Sequence, residues 1–556
     1  MTEPAPPSEP GPLVGRAVGL AGTAPALDCA RQLLESLGAT VAPQPPGPVL
    51  GVLDASTDQD PGAAPPTGPR PRDHRPPADQ INGAERIVVR AQASAAADWA
   101  RSGAMALTGP AEGPPALAPG APASALAGAL AVFDLLTAGD EPIAHSLSAC
   151  LLGERAALAG LSRQAPRSVG GAFRALRATD GWLGLSLARP DDIDLLPALM
   201  SGEPSGAERA GPERAGPELA ADPWLALSAW LAGRELGPAV SRARLLGLPA
   251  AAVPPSPVPA RRPPVVCAPG GPRDNHRTRL LVVDLTSLWA GPLCAHLLGL
   301  AGARVVKVES LGRPDGARAG PPAFFDLLHA GHLSVALDFG SPADIAALRR
   351  LLARADVVLE ASRPRALRQL GIDAEEYVAG GAVWASITAY GRTGEDAQRI
   401  GYGDDVAAAA GLVAHCGQVP YPVGDAIADP LAGAYAAAAV AAALLSPRGQ
   451  LLDVSMYDVA VAAAGAPGQD AAGAPGQDAA GAPGQDAAGA PGQDAAVVAT
   501  GPGTWAVRTE DGITPVSPPR ARRPRSAAAR LGQHTRSVLD GLGGGACAPR
   551  GRRALG

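Results

Sequence analysis

One aspartate stands where a carboxylate can do chemistry. Asp429 is followed by Pro430 and an alanine-rich stretch, within the run Val423 to Gly433. Proline suits the first helical position, so the spacing predicts a helix over about 430–445 with Asp429 as its N-cap. There the unpaired backbone N–H groups and the helix dipole favour an ionised carboxylate, the form that acts as a nucleophile. The same pattern is also that of an ordinary helix cap.

Other common catalytic sets are missing from the sequence. The six cysteines contain no CxxC pair, which indicates neither a zinc site nor a disulfide framework and favours a reducing cytoplasm. The eight histidines fall singly, without HExxH spacing. His415 and Cys416 are adjacent, and adjacent side chains point apart, which argues against a Cys–His pair. No P-loop motif and no G-x-G-x-x-G opens a helix, so nucleoside triphosphate and NAD sites are not expected.

Composition excludes further classes of function. The net charge is -6, Lys307 is the one lysine, and no basic run carries interleaved aromatic residues, so nucleic-acid binding is not expected. With 46% hydrophobic and 18% charged residues, the chain suits a globular protein. The N-terminus is acidic and proline-rich, and no long apolar run occurs. We therefore predict neither export nor membrane insertion.

From residue 280 onward, strands and helices alternate as in an α/β domain. Apolar β-branched runs predict strands, and Ser341-Pro342 predicts a helix start. Strand, helix and strand within about 30 residues require parallel pairing. We predict an open Rossmann-like layered domain with a mainly parallel sheet, together with a small α+β domain and low-complexity linkers. The expected strands are at 280–286, 304–309, 333–339, 356–361 and 383–389, with a helix at 291–301.

The N-terminal region resembles this domain. The sequence LLESLGATV at 33–41 resembles LLGLAGARV at 297–305, and the Leu-Ala-Gly at 126–128 repeats that at 431–433. We predict an internal duplication whose first copy is degenerate, because Ser124 stands in the place of Asp429. Two alanine-rich segments can also match by composition alone.

Proline- and glycine-rich stretches set the expected domain boundaries. The repeat GAPGQDAA occurs four times in tandem and is too short and too polar to bury a face, so it predicts a flexible insertion. The expected units are a degenerate α/β half at 1–137, a small domain at 165–255, a linker at 256–278, a large domain at 279–464, the repeat insertion at 465–504 and a C-terminal docking segment and tail at 505–556.

Seven motifs follow one another in the second half: DLTSLWAGP at 284–292, GARVVKVE at 302–309, LSVALD at 333–338, ADVVLE at 355–360, Arg363-Pro364 with Leu367 and Leu370-Gly371, SITAYG at 386–391 and GQLLDVSM at 449–456. Taken in this order around Asp429, they resemble the family III coenzyme A transferases of the formyl-CoA and carnitine CoA-transferase type. The segment at 531–539 resembles the docking segment of that family, and 178–185 resembles the start of its small domain, here ahead of the large one.

The resemblance implies that Asp429 attacks an acyl-CoA thioester and passes CoA to a carboxylic acid through an aspartyl-CoA thioester. A coenzyme A thioester is then the substrate, and no permanently bound cofactor is implied. Gly424 leaves room for the thioester, and arginine binds phosphate bidentately. The arginines could equally be solvated surface charges. The implied CoA-binding positions are Trp289, Ala290, Arg363, Arg365, Arg368, Arg399 and Gly424.

Two other functions stay open at this stage. An α-methylacyl-CoA racemase of the same fold needs a histidine where this chain has Tyr402, so two-base proton exchange is hard to write. A CoA-binding scaffold without turnover would fit the degenerate first copy and the missing second small domain. Family members form interlocked dimers; this chain could form a homodimer, or satisfy that arrangement internally with its first small domain covering Asp429.

Overall fold

A computed structural model of the chain describes residues 11–14, 17–20, 25–43, 51–54, 85–90, 94–137, 147–201, 222–273, 279–465, 495–510 and 512–542. Most of the GAPGQDAA array, the AGPERAGPEL repeat and the last residues of the tail lie outside these ranges. Within them, no helix has both the length and the apolar character needed to cross a membrane.

The N-terminal part combines a small parallel sheet with helices. Its elements are β1 (Ala17–Leu20), α1 (Pro25–Ser36), β2 (Thr40–Pro43), β3 (Gly51–Asp54), β4 (Glu85–Arg90), α2 (Ala95–Arg101), α3 (Pro122–Thr137) and α4 (Glu154–Ala159). The strands pair in the order β2-β1-β4-β3, all in parallel. Leu33, Leu126 and Phe133 bury themselves in a core that continues into the second half of the chain.

A small α+β unit follows. It contains β5 (Phe173–Arg177), β6 (Trp182–Ser186), α5 (Pro190–Asp194), α6 (Leu196–Met200), α7 (Pro223–Leu231), α8 (Leu236–Leu245) and β7 (Ala250–Val253). The three strands form an antiparallel sheet in the order β5-β6-β7. Leu183, Leu227 and Ala243 belong to a hydrophobic core of its own.

The second half is built on a seven-stranded sheet. Six strands run parallel in the order β11-β10-β9-β12-β13-β16, and β8 is added antiparallel at the edge next to β16. The strands are β8 (Val265–Pro272), β9 (Leu281–Asp284), β10 (Arg304–Ser310), β11 (Leu333–Leu337), β12 (Val357–Glu360), β13 (Val383–Thr388) and β16 (Arg448–Ser455); β14 (Val413–Cys416) and β15 (Val419–Pro422) form a separate hairpin. The predicted α/β class with a mainly parallel sheet is confirmed.

Helices connect these strands. They are α9 (Ala290–Leu300), α10 (Pro322–His329), α11 (Pro342–Leu352), α12 (Pro364–Gln369), α13 (Ala374–Ala379), α14 (Gly403–Ala409), α15 (Ala428–Leu444) and α16 (Met456–Ala464). The predicted start of α11 is confirmed: Ser341 is the N-cap, its hydroxyl accepts from the Asp344 N–H, and Pro342 is the first helical residue.

Two expectations about local structure are wrong. Asp429 is not an N-cap: α15 begins at Ala428 after Ile427, which places Asp429 in the first turn. The helix starts early because Ala426 adopts a left-handed φ of 44° that turns the chain before it. The expected linker at 256–278 contains β8, because pairing with β16 supplies hydrogen bonds that the local composition does not reveal.

The C-terminal region crosses both halves of the molecule. Within the stretch expected to be insertion and tail, β17 (Ala496–Gly501), β18 (Thr504–Thr509) and β19 (Gly512–Pro515) form an antiparallel sheet. We call residues 516–534 the strap. The Ser517 N–H donates to the Ala100 carbonyl in the N-terminal part, and the His534 N–H donates to the Ser334 carbonyl on β11. The strap leads into α17 (Thr535–Asp540).

Helices α3 and α15 pack against each other, and each buries a glycine in the same way. A Cβ added to Gly128 would lie 2.6 Å from the carbonyl oxygen of Ala26 on α1. A Cβ added to Gly433 would lie 2.6 Å from the carbonyl oxygen of Ala290 on α9. Contacts this short leave no space for a side chain, so both helix pairs depend on glycine at the same relative place.

Candidate active site

Asp429 lies beside a tight approach of two backbone segments. A Cβ added to Gly403 would lie 2.3 Å from Asp429 Oδ2 and 2.3 Å from the Ala426 carbonyl oxygen, so only glycine fits there. The Gly403 N–H also donates to the Asp429 carboxylate. Asp429 is half-buried, while the neighbouring residues of its loop are buried. Its carboxylate is therefore held in place while part of the residue stays accessible.

Three more carboxylates lie around Asp429. Asp404 and Asp405 occupy the first turn of α14, and Asp425 lies in the loop before α15. The Ala426 N–H donates to Asp404 Oδ1 at 3.0 Å. The Ser186 hydroxyl donates to Asp405 Oδ1 at 2.7 Å. We call Asp404, Asp405, Asp425 and Asp429 the acid cluster.

The acid cluster binds protons more strongly than exposed aspartates do. Burial raises the pKa of Asp429 to about 7; Arg155 and the Gly403 N–H lower this pKa, and the charges of Asp404 and Asp425 raise it. Burial is also the main cause that raises the pKa of Asp404 to about 6 and that of Asp405 to about 7. Because these groups interact, they titrate together near neutral pH.

The N-terminal part of the chain supplies several partners of this cluster. Arg155 of α4 donates through Nε to Asp425 Oδ2 at 2.9 Å and through Nη2 to Asp425 Oδ1. The Gly424 N–H donates to the hydroxyl of Thr108 at 2.8 Å, and Gly424 has a left-handed φ of 65°. The Ser168 hydroxyl lowers the pKa of Asp404 through a hydrogen bond. The site is therefore composite, with walls from both halves.

Four arginines lie close enough for their charges to interact, and we call Arg189, Arg313, Arg363 and Arg365 the arginine group. Burial and then the positive charges of Arg365, Arg189 and Arg313 lower the pKa of Arg363. Burial raises the pKa of Tyr402; Arg189 and Arg313 lower it, and Asp405 raises it. Arg313, Arg363 and Arg365 are exposed. Tyr402 thus interacts with both the arginine group and the acid cluster, and the adjacent Gly403 contacts Asp429.

The remaining predicted residues lie elsewhere. Arg368 forms an exposed ion pair with Glu375 at 3.5 Å. The guanidinium of Arg399 stacks 3.6 Å from the ring centre of Tyr390 and pairs with Asp396 at 3.0 Å. The structure thus groups Arg363 and Arg365 with each other, and it gives Arg368 and Arg399 their own partners.

Trp289 and Ala290 are both engaged in packing contacts. Trp289 is 3% exposed, with its ring edge-to-face with Phe324 at 5.3 Å between centroids. Arg155 lies over the Trp289 ring at 5.4 Å. Ala290 contributes its carbonyl to the contact with Gly433. Neither residue presents a charged group to a ligand.

A buried ion pair fixes the loop in front of Trp289. Lys307 Nζ lies 2.9 Å from Asp315 Oδ2 and 3.8 Å from Asp284 Oδ2, with both carboxylates shielded from solvent. The Leu288 N–H donates to Asp315 Oδ1 at 3.0 Å, and Leu288 has a φ of 70°, unusual for a branched side chain. Strain of this kind is retained where the surrounding structure determines the backbone path.

Sequence reasoning missed the partners that come from distant parts of the chain. Arg155 and Asp425 are 270 residues apart, and no motif marks Arg155. Arg189 comes from the small α+β unit, and only its place in the fold connects it with Arg363. A signal did exist for Asp404 and Asp405, because two adjacent acids precede a helix.

Comparison with known proteins bears on this half of the chain. The family model for CoA-transferase family III matches residues 279–511. These residues are therefore similar to CoA-transferase family III, and we call them the family III region. The motif-based resemblance is thereby confirmed, and the strands β9 to β16, the acid cluster and Arg363 all fall inside the family III region.

Curated relatives match over the same kind of length. The succinate–glutarate CoA-transferase of Agrobacterium fabrum is 32% identical over 200 residues, which are 32% of this chain and 50% of the relative. The human succinyl-CoA:glutarate CoA-transferase is 32% identical over 197 residues, 33% of this chain and 45% of the relative. The acetyl-CoA:oxalate CoA-transferase of Acetobacter aceti is 30% identical over 206 residues, 34% of this chain and 52% of the relative. The chain thus matches about half the length of these relatives.

Asp405→Asn should stabilise the protein at alkaline pH. The pKa of Asp405 is about 7 in the folded protein against 3.8 ordinarily, so the free energy of unfolding falls as pH rises from about 4 to 7. Asparagine keeps the oxygen that accepts from Ser186 and avoids this loss. We expect the variant to exceed wild type by about 1 kcal/mol or more at pH 8, with a smaller difference at pH 5.

Urea unfolding at the two pH values measures this difference. Asp192→Asn is the matched control: Asp192 is also buried, but Arg189 donates to it at 2.9 Å, so its loss should destabilise the protein at both pH values. A D405N protein that is less stable than wild type at pH 8 would contradict the conclusion that ionised Asp405 destabilises the folded protein.

Proposed function

We propose that this chain is a CoA-transferase that moves CoA from an acyl-CoA donor to a carboxylic acid acceptor, with Asp429 as the nucleophile. The observation that carries the proposal is the position of Asp429. It belongs to a half-buried residue within the acid cluster of the family III region, and the neighbouring Tyr402 interacts with arginines of the arginine group.

The reaction would proceed by exchange at one carboxylate. Ionised Asp429 attacks the thioester carbon, releasing CoA thiolate and leaving a mixed anhydride. The thiolate attacks the carbonyl carbon of Asp429, which releases the donor acid and forms the aspartyl-CoA thioester. The acceptor carboxylate attacks this thioester, forming a second anhydride and releasing the thiolate again. Attack of the thiolate on the acceptor acyl carbon gives the new acyl-CoA and frees Asp429.

The surroundings of Asp429 suit this sequence of steps. Burial strips water from the carboxylate, which raises its pKa and makes the ionised form a stronger nucleophile. The Gly403 N–H can stabilise negative charge on Oδ2 as it develops during attack by the thiolate. Absence of a side chain at Gly403 lets the Asp429 carboxylate approach the backbone this closely. The coenzyme A thioester is a substrate here, and the proposal involves no permanently bound cofactor.

The internal duplication belongs to the same proposal. The matching contacts of Gly128 with Ala26 and of Gly433 with Ala290 support two related helix pairs in one chain. In the first, Ser124 donates to Asp98 at 2.6 Å, so this position carries no free acid. The chain would then be an internal pseudo-dimer with one catalytic aspartate. The strand order of the large sheet supports the Rossmann-like assignment, and localisation in the cytoplasm stays a prediction.

Asp429→Asn should abolish transfer. The amide keeps the size of the side chain but cannot attack a thioester, so we expect turnover at least about 1,000-fold lower. In wild type, turnover should rise with pH up to about 7, because only ionised Asp429 reacts and its raised pKa sets that limit. The assay follows CoA exchange between succinyl-CoA and glutarate, a pair chosen because relatives are named for it.

Asp98→Asn is the matched control, since Asp98 is a half-buried acid of raised pKa in the other half, and its variant should retain turnover. The same reaction run in deuterated water separates the alternatives. Deuterium at the α-carbon without CoA exchange would indicate a racemase. CoA binding with neither reaction would indicate a scaffold.

Arg363→Gln combined with Arg365→Gln should weaken binding of the acyl-CoA. Each charge-assisted hydrogen bond to phosphate contributes about 1.5–3 kcal/mol, so KM should rise by at least about ten-fold while kcat changes little. Arg368→Gln is the control, because Arg368 pairs with Glu375, and its KM should stay near wild type. Equal KM values in all three proteins would place the phosphates elsewhere.

A further inference from the structure

We propose that Arg155 is a positioning residue for Asp429: the N-terminal half inserts its guanidinium between Trp289 and Asp425, and the strap holds it there. This inference rests on the proposed function, since it names the group that prepares Asp429 for reaction. The N-terminal half would thus contribute to the reaction through Arg155, although it has Ser124 in place of the nucleophilic aspartate.

Arg155 binds Asp425 through a bidentate pair of hydrogen bonds, which we call the fork. Two nitrogens of the guanidinium donate to the two oxygens of one carboxylate, Nε at 2.9 Å and Nη2 at a closer distance. The Asp425 side chain is 0% exposed, whereas that of Arg155 is 30% exposed. A bidentate pair of this kind fixes direction as well as distance. Asp425 is thereby held, and with it the short loop that ends at Asp429.

Trp289 supports the guanidinium of Arg155 from another side. Arg155 lies 5.4 Å from the ring centre of Trp289, which is itself packed edge-to-face on Phe324. A flat cation over an indole ring is attracted by the ring electrons. Arg155 is therefore enclosed between an aromatic ring and a carboxylate, both from the second half of the chain.

The charge of Arg155 also interacts with the acid cluster. Asp425, Asp404 and Asp429 all act on Arg155, and each of them carries a negative charge when ionised. Arg155 in turn lowers the pKa of both Asp404 and Asp429, against the effect of burial. Asp405 belongs to the same interacting set, because the charge of Asp404 adds to burial in raising the pKa of Asp405. Within the described residues, Arg155 is therefore a cation whose charge favours the ionised form of both Asp404 and Asp429.

The strap fixes the start of α4, the helix that carries Arg155. Its neighbour Glu154 is bound by Arg522 of the strap, through Nε at 2.6 Å and Nη2 at 2.8 Å. The same guanidinium reaches His296 Nε2 on α9 through Nη1 at 3.0 Å. Pro519 of the strap packs against Gly153, where an added Cβ would lie 3.1 Å away. The strap thus ties the first turn of α4 to the second half.

Arg155→Gln should shift the pH profile of turnover. Loss of the positive charge leaves Asp425 unpaired and raises the pKa of Asp429, so the acidic limb of kcat should move upward by about one pH unit or more. Turnover at pH 7 should fall at least about five-fold, because the ionised fraction of Asp429 falls by that factor, and it should recover at pH 9. KM for the acyl-CoA should stay near wild type, because the arginine group that would bind its phosphates is separate.

Two companion variants sharpen the test. Arg155→Lys keeps the charge without the fork, so its limb should shift less than that of R155Q. Arg163→Gln removes an arginine of the same half that donates to the carbonyls of Pro110 and Gly113, and it should lower the melting temperature without shifting the limb. If R155Q and R163Q both keep the wild-type pH limb, the proposal is wrong.

A second measurement separates this inference from the proposed function. In protein carrying carboxyl-13C aspartate, the resonance that disappears in D429N belongs to Asp429. Its titration should move to higher pH in R155Q whether or not the protein turns over acyl-CoA. A wild type without transferase activity but with this shift would overturn the proposed function and keep Arg155 as the group that sets the ionisation of Asp429. An unchanged titration would overturn the inference, even in an active enzyme.

Discussion

Carboxylates that are buried together repel one another and lose their hydration, and the structure around Asp429 is arranged to limit that cost. Asp404, Asp405, Asp425 and Asp429 lie within one small region, and burial raises the pKa of three of them toward neutrality. A fold keeps such a group only if hydrogen bonds and opposite charge offset the loss of water. Here the offset comes from backbone N–H groups, from serine hydroxyls and from Arg155.

This constraint explains why the two halves of the chain cannot be considered apart. The large sheet brings the loops after its strands to one edge and positions α14 and α15, but it supplies too few donors for the acids. Thr108, Arg155, Ser168 and Ser186 all come from earlier in the chain. The packing of α3 on α15 and the strap across both halves hold these donors against the acids. A site of this kind needs the N-terminal half, although that half has Ser124 where the second has Asp429.

Local patterns predicted the parts of the fold that short segments determine. The strands from β9 to β13 are apolar runs bounded by turn residues, and the Ser341 cap and the helix of Asp429 follow from residue types alone. Prediction failed where distant pairing decides. The strand β8 is rich in glycine and proline, and it exists because β16 offers a free edge. The sequence predicts that α15 begins at Pro430, after Asp429, whereas it begins at Ala428, because nothing in the sequence reveals the left-handed Ala426. Arg155 carries no motif, and it gains its role from a partner 270 residues away.

In the proposed reaction, CoA becomes attached to the side-chain carbonyl carbon of Asp429. The direct measurement is mass spectrometry of the full-length protein after incubation with succinyl-CoA, with borohydride or hydroxylamine used to trap the thioester before digestion. We expect the modification on the peptide that contains Asp429, and none on the corresponding peptide of D429N. Turnover without modification of that peptide, or a modification on another residue that persists in D429N, would contradict the account.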